Sequence, residues 1–144
     1  MSHADCLDES HGFAMRQAAR YLAKLYERHL KAAALTPTQF AILARLSQGA
    51  TLTFCELADA LLLDRTTLVR AVSALRRARL VRAEAAGDDA RTLHFALTDE
   101  GKAAHRAARP LWDAAQQELE RDFGRERAES LRHELVELAK LGRR

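Results

Sequence analysis

The stretch Asp64-Arg-Thr-Thr-Leu-Val-Arg-Ala-Val-Ser-Ala-Leu-Arg-Arg-Ala-Arg79 limits the possible folds more than any other part of the chain. Asp64 reads as a helix N-cap, because its carboxylate can accept from the first free backbone N–H groups. Leu68, Ala71, Val72 and Leu75 then recur at helical spacing and give one apolar face. The other face carries Arg65, Thr66, Thr67, Val69, Arg70 and Ser73. Short hydroxyls, a methyl-bearing side chain and guanidinium groups are the types that reach base edges and phosphates in a DNA major groove. From Arg65 to Arg82 there are six arginines and no acidic residue. A solvated helix face would show the same residue types, so the flanking segments decide between the two readings.

Upstream, Thr53-Phe-Cys-Glu56 reads as a capping box, with Thr53 as N-cap and Glu56 reaching back from the third position. Leu57, Ala58 and Leu61 continue an apolar face, and Leu62-Leu63 make a short turn into Asp64. Helix, short turn, arginine-bearing helix is the helix-turn-helix pattern. Downstream, Leu80–Glu84 and Thr92–Leu97 alternate apolar and other residues around a turn-rich connection over 85–91, which predicts a β-hairpin with a charged tip. The sum is a winged helix, with Arg91 near the tip placed to enter a narrow minor groove. Arg76, Arg77, Arg79 and Arg82 are read as phosphate clamps, which position a protein on DNA without reading sequence.

These segments together resemble the MarR family of dimeric winged-helix transcription regulators. The resemblance rests on Leu57-Ala58 and Leu61, the Asp-Arg-Thr-Thr opening at Asp64, Leu75, Leu80-Val81, Asp89-Ala-Arg91 and Leu97-Thr-Asp-Glu-Gly101. Leu35-Thr-Pro-Thr-Gln39 looks like the start of that family's second helix. Two departures stand out. Arg79 occupies the position where the family usually has Gly before its Leu-Val, and Gly87 and Ala83 replace a wing Pro and an earlier Arg.

Outside the motif, a long helix is expected over about 9–33, with Phe13, Ala18, Tyr21, Leu22, Leu25 and Tyr26 on its apolar side. Thr36-Pro37 starts a second helix through a capping box completed by Gln39. Thr98 caps a further helix to about Asp122, in which Pro110 removes one hydrogen bond and should introduce a kink. Phe123-Gly124 breaks the chain before a last helix carrying Leu131, Leu135, Leu138 and Leu141. The expected fold class is therefore mainly α with a small β-hairpin wing. A single domain over 1–144 would place the winged helix at about 36–97 and dimerisation helices at about 9–33 and 98–142. The terminal helices carry more apolar surface than so small a core can use, which suggests a homodimer rather than one closed bundle. Two recognition helices about one DNA turn apart would then read a pseudo-palindrome.

Composition excludes several classes. With 144 residues, 48% hydrophobic and 30% charged, the chain is globular rather than disordered. No apolar run approaches the ~18–20 residues of a membrane helix, and the N-terminus lacks a signal-peptide pattern. The expected location is the cytoplasm. A net charge of +3 says little about nucleic acid, but its clustering says more. No Gly-rich phosphate loop, Gly-x-Ser-x-Gly or registered Cys/His pair is present, so no enzyme activity is expected. His3, His11, His29, His94, His105 and His133 show no metal-ligand spacing, so neither metal nor cofactor is expected.

The resemblance implies a small-molecule site between the dimerisation helices and the winged helix, taking an aromatic acid or a phenol. The residues available for it are His11, Phe13, Met15, Arg16 and Arg20 from the first helix, with Phe40 and Leu43 from the second. Arg16 and Arg20 serve equally as exposed or inter-chain charges. A thiol switch through Cys6 is a competing sensor, but Asp5, Asp8 and Glu9 oppose thiolate formation there. An architectural DNA-binding protein with no effector is the other alternative. The expected activity is that of a ligand-responsive, operator-specific repressor.

Overall fold

Four short polar side chains set the helix starts of the winged helix and its exit. Thr36 Oγ1 accepts from Gln39 N at 3.1 Å, and Gln39 Oε1 accepts from Thr36 N at 3.1 Å. Thr53 and Glu56 repeat this reciprocal box at 3.2 and 3.0 Å. Asp64 Oδ2 accepts from Thr67 N at 3.1 Å, and Thr98 Oγ1 accepts from Gly101 N at 2.9 Å. Each pair satisfies backbone donors that helix geometry leaves without partners.

The computed structural model describes residues 7, 9–49, 51–86 and 89–143. Along the chain, α1 (His11–Leu30) passes through a 3-10 turn into α2 (Pro37–Leu46) and the short strand β1 (Leu52–Thr53). Next come α3 (Phe54–Leu61), α4 (Arg65–Arg77), β2 (Val81–Ala86) and β3 (Asp89–Leu97). The long α5 (Asp99–Phe123) and α6 (Arg125–Lys140) follow. The three strands form an antiparallel sheet in the order β1-β3-β2. The molecule is thus mainly helical with a small sheet, a winged helix-turn-helix flanked by long helices. Ser10 caps α1, close to the expected start, and the helix runs on through Pro110 in α5.

The wing differs from expectation. Both strands extend into the segment expected to be a turn, and β1 adds a third strand through Leu52↔Phe95 and Thr53↔His94. The register is regular from Val81↔Leu97 to Ala85↔Leu93 and then jumps to Ala86↔Asp89. Arg91 therefore lies in an irregular stretch of β3 and not at the tip of a turn. Bulged pairing of this kind re-aims side chains near sheet ends.

The core joins all parts of the winged helix. Leu30, Ile42, Leu43, Leu57, Leu68 and Leu75 are its largest fully buried side chains. Val81, Phe95 and Leu97 close it from one face of the sheet. Each such Leu or Ile contributes ~1.5–3 kcal/mol by leaving water. Phe40 stacks on Trp112 of α5 at 4.5 Å between ring centroids, which fixes the winged helix to the long helix.

Candidate nucleic-acid interface

Residues that face inward on α4 fix which residues face outward. Leu68, Ala71, Val72 and Leu75 are buried, so Arg65, Thr66, Thr67, Val69, Arg70, Arg76 and Arg77 stand exposed, with Ser73 half-buried between them. Arg70, Arg76 and Arg77 make no ion pair among the described residues. Three uncompensated guanidinium groups on one helix face concentrate positive potential there.

The N-terminal end of α4 is held by paired hydrogen bonds. Asp64 accepts both the backbone N–H of Thr67 and its hydroxyl, the latter at 2.6 Å. These hydrogen bonds, that from the Thr67 hydroxyl first, hold the Asp64 carboxyl below its usual pKa. The Thr67 hydroxyl is thereby oriented with an accepting lone pair still available. Arg65 lies over the Phe54 ring, its guanidinium carbon 5.5 Å from the centroid, and so links α3 to α4. Leu62 turns the chain between the two helices in a left-handed conformation, with φ of 52°.

The exit from α4 accounts for Arg79 at the position where glycine was expected. Arg79 is left-handed, with φ of 61°, and the α4 end is closed by Arg79 N to Arg76 O at 3.0 Å and Leu80 N to Leu75 O at 2.9 Å. This is a Schellman closure made without glycine. The Arg79 carbonyl accepts from the Thr98 hydroxyl at 2.7 Å, and the Leu80 carbonyl accepts from Thr98 N at 3.1 Å. Residue 98 thus ties the end of α4 to the start of α5, a tertiary role that its N-cap role alone does not reveal.

The other expected DNA contacts lie on the sheet. Arg82 and Glu84 are ion-paired on the outer face of the sheet, opposite the face carrying Val81 and Leu97. Arg91 is exposed on β3. The expected effector residues separate into two groups. His11, Met15, Arg16 and Arg20 are exposed on α1, with Phe13 half-buried, whereas Phe40 and Leu43 are closed in the core at 3% and 0% exposure. None of the seven lines the cavity between α1, α5 and α6 or the cavity behind the sheet. Cys6 lies outside the described residues, and Cys55 is an exposed free thiol on α3. Among the described residues no helix is long and apolar enough to cross a membrane, and no cluster of three or more His, Cys, Asp or Glu could hold a metal ion.

Comparisons with known proteins agree with this architecture. A profile of the MarR family matches residues 35–92. No curated protein sequence matches the chain. Among solved structures, the M. tuberculosis transcriptional regulator MosR in complex with DNA is 38% identical. That match covers 91% of this chain and 98% of MosR, with a TM-score of 0.75. The transcriptional repressor CouR, bound to a 23-mer DNA duplex, is 26% identical over 92% of this chain and 94% of its own, with a TM-score of 0.85. NadR in complex with 4-hydroxyphenylacetate is 29% identical over 91% and 93%, with a TM-score of 0.71. The chain belongs to the MarR family of DNA-binding transcriptional regulators.

Proposed function

We propose that the protein is a homodimeric repressor that occupies a pseudo-palindromic operator in the cytoplasm and is released by a small aromatic acid or phenol. The observation that carries this reading is the exposed face of α4, where Arg70, Arg76 and Arg77 have no ion-pair partner among the described residues. Arg65, Thr66, Thr67, Val69, Arg70 and Ser73 read bases in the major groove, and Arg76 and Arg77 hold phosphates. Arg91 enters the minor groove from the wing. Arg82, exposed on the outer face of the sheet and ion-paired with Glu84, is a further phosphate contact.

Dimerisation is supported by the apolar residues left in water. Tyr21, Leu131, Leu135, Val136, Leu138 and Leu141 are each at least 40% exposed. Most of them border a cavity of about 650 Å³ between α1, α5 and α6. Repression is supported by similarity to the repressor CouR, and binding of an aromatic acid by similarity to NadR, in complex with 4-hydroxyphenylacetate. In a dimer the partner chain completes a site with the exposed His11, Met15, Arg16 and Arg20 and with Phe13, while Phe40 and Leu43 support them from within the core.

The test is a panel of single-base operator variants. Arg70→Ala should relax preference at one base pair, by about 1–3 kcal/mol. Arg91→Ala should weaken all duplexes about equally. An unchanged specificity profile in Arg70→Ala would refute base reading by α4.

A further inference from the structure

Thr67 stands exposed in the first turn of α4, the part of a recognition helix that meets base edges. A threonine hydroxyl ordinarily donates or accepts as its surroundings require, so it reads a base edge ambiguously. Here the choice is already made. Both oxygens of Asp64 are engaged by Thr67: Oδ2 accepts from its backbone N–H at 3.1 Å, and Oδ1 from its hydroxyl at 2.6 Å. The shorter distance is that of a charge-assisted O–H···O⁻ bond, roughly twice as strong as a neutral one. These bonds, that from the hydroxyl first, hold the Asp64 carboxyl below its usual pKa. At neutral pH it is ionised and can only accept, so the proton between the two side chains belongs to Thr67.

Nothing else competes for the carboxylate. Asp64 makes no ion pair among the described residues, and Arg65 beside it lies over the Phe54 ring instead. The other hydroxyls of the exposed face are uncommitted: Thr66 and Ser73 make no side-chain hydrogen bond among the described residues. With its one proton given to Asp64, Thr67 Oγ1 presents only lone pairs outward. In the major groove the matching donors are the exocyclic amines of adenine and cytosine. Thymine O4 and guanine O6 and N7 are acceptors, and would face the same oxygen with no proton between them.

We propose that Asp64 is a specificity-determining residue of the DNA interface: by fixing Thr67 as an acceptor, it makes α4 select adenine or cytosine at the base that Thr67 reads. Such selection presupposes that α4 reads bases, as proposed above, and goes further in naming the chemical group it reads. Asp64 acts through Thr67 and is a positioning residue.

The experiment is selection of bound duplexes from a randomised library by the full-length protein, followed by sequencing. Wild type is compared with Thr67→Val, Thr67→Ser and Asp64→Asn. In wild type, one position of each half-site should favour A or C over G or T on one strand by about tenfold. Thr67→Val, of nearly the same shape without the hydroxyl, should erase that preference, and Thr67→Ser should keep it. Asp64→Asn retains a good N-cap but reverses the polarity. The Thr67 N–H can only donate, so it claims the amide oxygen, and the amide NH2 then faces Oγ1. The hydroxyl proton is released outward, and the preference at that position should pass to G or T. Asp64→Asn that weakens all sequences alike and leaves the profile unmoved would make Asp64 merely structural and overturn the proposal. A preference lost in Asp64→Asn but kept in Thr67→Val would assign the amine contact to the Asp64 carboxylate and overturn it as well. No preferred sequence in wild type would overturn operator reading itself, whereas a wild-type preference shared by all three variants would overturn this proposal alone.

Discussion

At the scale of single residues, the junction after α4 is the most demanding point in the chain. A Cβ built on Gly101 would lie 1.9 Å from the Leu80 carbonyl oxygen, a backbone atom that cannot move aside alone. Leu80 O also accepts from Thr98 N, so any shift would loosen the tie between α4 and α5. Gly101→Ala should therefore destabilise the fold by about 3 kcal/mol or more, measured by chemical denaturation. A loss below about 1 kcal/mol would show that the junction relaxes freely. The caps at Thr36, Thr53, Asp64 and Thr98 were legible in the sequence because each closes within three residues. The bonds from Thr98 to Arg79 and Leu80 were not, since they span about twenty positions and depend on how the wing returns the chain. For Arg82, the alternation around Val81 and Ala83 already placed it on the opposite face of the strand.

Among elements, α1 and α5 are joined by ionic as well as aromatic contacts. Arg28 Nη2 donates to Glu118 Oε2 at 2.7 Å, and His29 Nε2 lies 2.8 Å from the same oxygen. These contacts, that with His29 first and then Arg28, hold the Glu118 carboxyl below its usual pKa. A carboxylate with a depressed folded pKa stabilises the fold above its unfolded pKa, and that contribution is lost as pH falls through the folded value. Glu118→Gln should lower Tm at neutral pH, and the difference from wild type should vanish on acidification below the ordinary glutamate range. Thermal melts across pH would show this. A Tm difference that persists at low pH would mean that the carboxylate charge does not hold the helices. The helices themselves follow from periodicity and caps. The strand β1 does not, because two residues carry no period and its partners Phe95 and His94 are more than forty positions away. Extension of β2 and β3 into the expected turn has the same origin: cross-strand pairing overrides local turn preference.

For the whole molecule, the proposed function requires two chains presenting two α4 helices about 34 Å apart. The terminal helices were readable as excess apolar surface, and their exposed leucines retain that excess in a single chain. What they pack against was not readable, since the partner of an apolar face has no signature in one sequence. Leu131→Glu/Leu135→Glu should yield a monomer by analytical ultracentrifugation and weaken operator binding by ~10²-fold or more through lost avidity. A dimer that persists in this variant would move the interface elsewhere. Phe40 and Leu43 belong to the same difficulty, because apolar residues on a helix read alike whether they line a ligand site or fill a core. The most direct measurement is fluorescence anisotropy of the purified protein on DNA from upstream of its own gene, beside a scrambled duplex of equal length, at ~150 mM salt. An operator-reading repressor should prefer its own DNA by ~10³-fold or more. Equal, weak binding to both duplexes would contradict sequence-specific recognition by α4 at that site.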